Sequence, residues 1–347
     1  MRRAHKTRQR GVVLIAVMWG VFLLTALAFA LSTTVRGGGE ELRARKEGLQ
    51  AHYLARGAVY KAIPMLTAVS SDPAKPAPFV PGQRELTWTE GDTRINIDVQ
   101  DESGKFDVNA TPPEVLERLF MNLGLQFQQA HDLAAAIEDW RDADSDTRPG
   151  GAEDGYYSNL GEPYHPANAD FRSVEELLLA RGVTPELFYG GYAVSDQGEV
   201  TRRPGLVDCL TVHSHAAAVN INYAPYAVLM AIPAMDPATA RLIIAGRERK
   251  PYAAVSDFVH DNPVLLSTDT MNYLSTSSSG RYSLIAAGVT PSGITSRVRA
   301  VVQVGGFQPA THRDQFGRLV NASGQPVSSE APAVPFAILS WDDSYVR

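Results

Sequence analysis

The sequence holds a single cysteine, Cys209, in 347 residues. No intrachain disulfide can form, and no cysteine-rich zinc site can be built. Basic charge is in deficit, since 32 Lys and Arg face 38 Asp and Glu for a net charge of -6. A chain of this balance lacks the broad basic surface that releases counterions from nucleic-acid phosphates. Catalytic signatures are missing too: there is no GxSxG, no HExxH and no phosphate-binding glycine loop. His131 and His165 are isolated in the chain, and His213 and His215 flank Ser214 without a dyad spacing. What remains is ordinary globular material, 44% hydrophobic and 20% charged, enough for two or three small domains.

Charge is absent altogether from Val12 to Val35, a run of 24 residues that would span a bilayer core as a helix. It follows the basic segment MRRAHKTRQRG, which the positive-inside rule keeps in the cytoplasm. Three readings are open: a secretory signal cut near Ala30, a plain anchor, and a prepilin-type leader. The apolar run is longer than a usual signal core. The order basic segment, Gly11, then an apolar helix opening at Val12 fits the prepilin leader best, with cleavage between Gly11 and Val12. The helix then stays in the mature protein.

Beyond Val35 the chain continues with charge between Leu42, Leu49, Ala58 and Met65, which predicts a helix extended outside the membrane with one apolar stripe. Gly37-Gly38-Gly39 predicts a bend, because each mid-helix glycine costs about 1 kcal/mol. Pro73, Pro76, Pro78 and Pro81 are expected to end the segment. Leu86 and Trp88, then Ile95, Ile97 and Val99, alternate with polar residues around Gly91-Asp92. That is a two-strand hairpin with one apolar face, which the helix stripe would cover.

An internal repeat follows. Val108-Asn109-Ala110-Thr111-Pro112 matches Ile221-Asn222-Tyr223-Ala224-Pro225, Ile137 and Arg141 match Ile243 and Arg247, and Phe171 matches Tyr252. Each copy reads as short helices, the last opened by a capping residue. The second copy resembles the helix-hairpin-helix units of DNA-binding proteins, but its hairpin, Pro233-Ala234-Met235-Asp236, has no glycine. Asp236 would repel a phosphate where backbone amides should attract one. A helical packing module is the favoured reading.

The first copy carries an insertion of about 25 residues between Arg141 and Phe171. It opens Asp142-Ala143-Asp144-Ser145-Asp146 and reaches Glu153-Asp154. Alternate aspartates with a carboxylate eleven residues after the first resemble EF-hand ligands, although Thr147 replaces the expected glycine and Pro149 is unusual. Crowded hard oxygen donors repel one another unless a hard cation neutralises them. Calcium is therefore expected on Asp142, Asp144, Glu153 and Asp154, with Asp146 and Asp139 nearby, in a structural role. Tyr156, Tyr157 and Tyr164 are more than a solvated loop needs.

After Ser275 the pattern returns to strands at Tyr282–Ala287, Arg297–Val304 and Phe336–Trp341, with a long loop between Gly305 and Pro335. The expected fold is α+β: a long N-terminal helix packed on a small antiparallel sheet. A large helical insertion of two related helix-hairpin-helix-like (SAM-like) modules interrupts it. The expected divisions are a leader at 1–11, a transmembrane helix at 12–35 and a helix extension with hairpin at 36–101. The first module takes 102–200 with the acidic loop at 142–170, the second takes 201–280, and closing strands take 281–347.

Together RQRGVVLIAVMW, DESGKFDVNATPPEVLERL, AIEDWRDADSDTRPGGAEDGYYSNL, FRSVEELLLARGVTPELF and VNINYAPYAVLMAI resemble the minor pseudopilin K family of the type II (general) secretion system. The resemblance runs over nearly the whole chain. It implies a non-enzymatic subunit in the bacterial inner membrane, with one pass, a cytoplasmic N-terminus and a periplasmic bulk. It further implies processing by prepilin peptidase with methylation, calcium in the acidic loop, and assembly with minor pseudopilins I and J on an inner-membrane platform. In most pilin-like subunits the fifth mature residue is a glutamate that pairs with the amine of the subunit ahead. Counting from Val12, the fifth residue here is Ala16, which implies a place at the filament tip with no subunit ahead. Two other classes stay open: a membrane-tethered DNA receptor, testable by salt-dependent DNA binding, and a tethered periplasmic enzyme, testable by activity screening with and without metal.

Overall fold

The computed structural model describes residues 9–67, 79–80, 82–194, 198, 200–262, 266–307, 311–313, 319–321 and 334–343. The first eight residues of the leader and Pro73, Pro76, Pro78 and Pro81 lie outside the described residues.

One helix, α1 (Gln9–Thr67), carries the apolar run and its charged continuation. Among the described residues, Val12–Ser32 is the one stretch long and apolar enough to cross a membrane, and none of it is buried in the protein. Contrary to the expected bend, α1 runs unbroken through Gly37-Gly38-Gly39. Three glycines cost about 3 kcal/mol, but an established helix propagates at one hydrogen bond per residue. The ion pairs Glu41–Arg45 (2.6 Å) and Arg43–Glu47 (3.0 Å) brace the turns that follow. Pro64 lies in the last turns and α1 ends at Thr67, ahead of the proline cluster expected to stop it.

Strands β1 (Glu85–Glu90) and β2 (Thr93–Asp101) form the hairpin around Gly91-Asp92. Then come β3 (Phe106–Asp107), α2 (Pro113–Asn122), α3 (Phe127–Arg141), α4 (Asp154–Tyr157) and a 3-10 turn at Val174–Leu179. These are followed by α5 (Pro185–Tyr189), β4 (Gly191–Val194), β5 (Val200–Arg203), α6 (Leu206–Cys209) and β6 (Leu210–Thr211). The second copy comprises β7 (Val219–Asn220), α7 (Tyr226–Ala231), α8 (Pro237–Arg249), α9 (Val255–Asp261), α10 (Thr268–Asn272) and β8 (Leu274–Ser275). The chain closes with β9 (Arg281–Val289), β10 (Thr295–Phe307), β11 (Thr311–Arg313), β12 (Leu319–Asn321) and β13 (Val334–Asp342). β11 and β12 pair with each other, so the stretch expected to be one long loop contains a small ladder.

The main sheet is antiparallel in the order β1-β2-β9-β10-β13, so the helical segment is inserted between two adjacent strands, β2 and β9. The face that α1 turns to this sheet is the expected one only in part: Ala58 is buried and Met65 half-buried against the sheet as the stripe predicts. Ala51, Ala55, Ala58, Val59, Ala62 and Ile63 are buried there, whereas Leu42 and Leu49 are exposed. The reason is distance. A Cβ added to Gly288 of β9 would overlap the Ala51 carbonyl, so only a small side chain fits where helix and strand cross at Ala51. The helix advances along the sheet in order: Glu47 accepts a hydrogen bond from Ser292, His52 meets Ser296 at 3.3 Å, and Tyr60 stacks on Trp341 at 5.6 Å. It thus starts at the β9–β10 turn and moves toward the strand ends Asp101 and Arg281. The helical insertion leaves the sheet at that end, farthest from Val12–Ser32.

The repeat is visible in side-chain geometry. Asn109 donates to the Phe171 carbonyl (3.0 Å) and accepts from the Phe171 amide (2.8 Å). Asn222 does the same with Tyr252, at 2.9 and 2.8 Å. Arg141 donates to the carbonyls of Val108 and Thr111, and Arg247 to those of Ile221 and Ala224. Ile137 and Ile243 are buried beside them. The expected capping of each last helix is reversed: neither Ser173 nor Ala254 caps with its own side chain. Instead Glu176 accepts from the Arg172 amide, and Asp257 from the amides of Ala253 and Ala254. In the second hairpin Ala234 adopts φ +57°, a left-handed conformation that costs a non-glycine residue about 1 kcal/mol.

Insertion and sheet are joined by a buried charge pair. Glu102 accepts from Lys105 Nζ at 2.8 Å and from Ser283 Oγ of β9 at 2.6 Å, with both charged side chains 2% exposed. Burial alone would raise the Glu102 carboxyl. The Lys105 charge and the hydrogen bonds from Lys105 and Ser283 outweigh it and hold the carboxyl down to about 2. A depressed carboxylate stabilises the fold above its unfolded value and loses that contribution as pH falls through its folded one. Acidification from about pH 4.5 to 2 should therefore remove on the order of 3 kcal/mol through this group. Lys105→Met should cost about 3–5 kcal/mol in urea unfolding at neutral pH, by stranding the carboxylate. The double variant Glu102→Gln/Lys105→Met should cost less and lack the acid step. Equal losses in the single and double variants would show that the pair is not the junction's anchor.

Candidate metal centre

The acidic loop leaves the end of α3 and is fastened by aromatics. Trp140 packs edge-on against Tyr157 and stacks on Phe171, and Tyr157 contacts Tyr164. The Tyr157 hydroxyl accepts from the Arg181 amide at 3.1 Å, while the Arg181 side chain donates to the Gly151 carbonyl at 2.9 Å. Tyr164 donates to the Leu179 carbonyl at 2.7 Å. The loop thereby folds back over α3. A Cβ on Gly151 would overlap the Asp139 carboxylate, so the chain can pass there only as glycine.

This path brings Asp142, Asp144 and Glu153 together, with one oxygen from each lying within 4.8 Å of the others. Of the six residues named from sequence, these three converge. Asp139 is fully buried next to them but is engaged by Arg148, whose Nη1 lies 3.0 Å from its Oδ1. Asp146 points to solvent, and its amide donates to Asp144 Oδ1. Asp154 turns away at the start of α4 and pairs with His165. The EF-hand-like spacing thus holds at its first, third and twelfth positions and departs at the fifth. Thr147 and Pro149 there do not supply the turn that glycine gives an EF-hand.

Glu153 is 3% exposed, yet neither of its oxygens has a hydrogen-bond partner among the described residues, and Asp142 Oδ1 also has none. Burial pushes the Glu153 carboxyl up, and the charges of Asp139 and Asp142 push it further. A buried, unpartnered carboxylate facing two others is costly for the empty protein. Three carboxylates at this spacing, with Glu153 and Asp142 Oδ1 unpartnered, fit a hard divalent cation. Sequence reasoning missed Arg148, which bonds both Asp139 and Asp142 and is itself shifted upward, chiefly by its hydrogen bond to Asp142. The available signal was its position as the one basic residue between Asp142 and Asp154. Also missed was Asn168, at φ +44°, whose side chain donates to the Asp144 carbonyl at 2.9 Å and holds the loop's return.

Comparison with known proteins agrees with this architecture. Family models described as type II secretion system protein K match residues 93–189 and 219–276. The chain is 26% identical over 283 residues to the type II secretion system protein K of Klebsiella pneumoniae, covering 76% of this chain and 82% of that one. It is 27% identical over 207 residues to the protein K of Pectobacterium carotovorum subsp. carotovorum, covering 53% of this chain and 61% of that relative's length. Among solved structures it resembles a chain of the GspK-GspI-GspJ complex from the enterotoxigenic Escherichia coli type 2 secretion system. That match has a TM-score of 0.50 and 18% identity, and covers 78% of this chain and 94% of that one.

A long apolar helix laid on a small antiparallel sheet, with a helical domain spliced between two of its strands, defines a pilin-like subunit with an enlarged head. The chain is similar to type II secretion system protein K, the K-type minor pseudopilins, over residues 93–189 and 219–276, and to the Klebsiella pneumoniae relative over 76% of its length.

The unpartnered Glu153 gives a sign-changing test. In metal-free buffer Glu153→Gln should melt above the wild type at neutral pH, because the raised carboxyl makes its ionised form a burden. With calcium at about a hundred times its dissociation constant, the wild type should gain about 2.7 kcal/mol and melt above the variant. Calorimetry in chelator and in excess calcium reads both; the same order in both conditions would remove the metal centre.

Proposed function

We propose that this chain is a minor pseudopilin and occupies the tip of the type II secretion pseudopilus. There it assembles with minor pseudopilins I and J, on an inner-membrane platform, to initiate or cap the filament that drives export of folded proteins. The observation that carries this reading is the position of the head. The helical insertion leaves the sheet at the end farthest from Val12–Ser32, where it would block a further subunit from stacking above. Ala16 supports the same place: a subunit with none ahead has no amine to pair with, and alanine avoids a carboxylate stranded in lipid. The bulk would then be periplasmic, with the basic N-terminus cytoplasmic.

A surface for the partners is present on α1. Leu42, Leu49 and Tyr53 are 70, 59 and 66% exposed. Their spacings of seven and four residues return to one side of a 3.6-residue helix, facing away from the sheet. Such a stripe suits helix-on-helix packing with the corresponding helices of I and J. The cation in the acidic loop is taken as calcium, ordering the first module; no catalysis is required of it.

The helix-hairpin-helix likeness is read as a packing scaffold. At the N-terminus of α8, Asp236 accepts from the amides of Ala238 and Thr239 at 2.9 and 3.0 Å. Its carboxyl is lowered chiefly by the Thr239 hydroxyl. The amides a DNA phosphate would need are already engaged.

Prepilin processing places the mature end at Val12, so N-terminal sequencing of membrane-extracted protein should begin there, with the amine free or methylated. A start near Leu31 would instead mean an ordinary signal peptide and end the pilin reading. Photo-crosslinkers at Leu49 and Tyr53 should capture I or J, with one copy of this chain per filament and at one end. Recovery of many copies along the filament would sink the tip assignment.

A further inference from the structure

The two helical copies place an arginine at the same point and satisfy it differently. In the first, Arg141 holds the backbone carbonyls of Val108 and Thr111 and also pairs with Glu138 at 2.5 Å. In the second, Arg247 holds the carbonyls of Ile221 and Ala224 at 2.7 Å each. The residue matching Glu138 is Ile244, so the second copy keeps the backbone clamp and lacks the carboxylate. Arg247 is 7% exposed, and its Nε has no hydrogen-bond partner among the described residues. Burial and the neighbouring Arg84 lower it to about 10.

Arg84 has no ion pair among the described residues, and it lines one cavity of about 460 Å³ together with Arg247. That cavity lies where the chain leading into β1 meets the second module. The Gly82 amide there donates to the Tyr223 hydroxyl at 2.6 Å. Glu248 also lines the cavity, but it is exposed and pairs with neither arginine among the described residues. Arg84 and Arg247 line a space whose lining carries one carboxylate, that of Glu248, so the charges around it sum to positive.

We infer that this cavity binds a carboxylate group through Arg247 and Arg84, supplying from outside what Glu138 supplies within the first copy. A guanidinium presents parallel N–H groups that match a planar carboxylate, and in a desolvated site the pair is worth more than at the surface. The carboxylate comes either from a small free acid or from an acidic side chain of a neighbouring subunit. The inference concerns the isolated chain and stands independently of the tip assignment.

The test is thermal unfolding of the full-length chain in detergent, with acetate exchanged for chloride at matched ionic strength. Acetate should raise the wild-type Tm by about 2–4 °C at saturation. Arg84→Gln, which removes an exposed and unpaired side chain, should abolish most of that rise. Ile244→Glu, which restores the carboxylate in cis, should also lose the response. An acetate effect equal in wild type and Arg84→Gln, or no effect in wild type, would overturn the assignment. Repeating the titration on the co-purified assembly separates the sources. A response that persists there marks a site for a free acid, and one that vanishes marks a cavity filled by a neighbour's side chain.

Discussion

The structure depends on how closely α1 approaches β9. Alanines at 51, 55, 58 and 62 and the bare Gly288 bring helix backbone almost against strand backbone. That contact fixes the helix on the sheet. Once it is fixed, the lipid-length apolar run must project from one end and the inserted head must leave from the other. It also decides which face of α1 remains outward, and hence where Leu42, Leu49 and Tyr53 are displayed. Large residues on the buried face would lift the helix and lose dispersion contacts along its whole covered length.

The head repeats one arrangement twice, and the two copies differ around their shared Asn and Arg positions. Both keep the asparagine that clamps the third helical segment and the arginine that closes the first turn. The first copy carries an aromatic-pinned acidic loop in its insertion; the second has Ile244 where the first has Glu138, and its Arg247 lines a cavity with Arg84. A scaffold held by side-chain-to-backbone hydrogen bonds tolerates such changes, because the bonds that set its shape do not pass through the altered residues.

Buried charge recurs at each functional junction. Glu102 and Lys105 neutralise one another between head and sheet. Glu153 is left without a partner in the acidic loop, and Arg247 without a carboxylate in the second copy. A satisfied pair makes a rigid joint; an unsatisfied group marks a place where an external ion or group lowers the free energy of the folded state.

Periodicity and spacing in the sequence determined the elements themselves. The hairpin around Gly91-Asp92, the three later strands, the duplicated Asn and Arg positions and the loop holding Asp142, Asp144 and Glu153 were legible because each rests on neighbours close in the chain or on matched repeats. The apolar run was legible for the same reason. Tertiary structure alone decided what each face meets. Leu42 and Leu49 looked like core at sevenfold spacing, but the helix is covered by small residues, a choice set by its distance from β9. Asp146 and Asp154 had the right composition for ligands, yet chain direction after Arg148 and at the start of α4 turns them away. The isolation of Arg247 was invisible because it arises from Arg84, more than a hundred residues earlier, and from the absence of a partner in space. Local pattern selects helix or strand through short-range sterics and hydrogen bonds; long-range packing selects which charges are left without company.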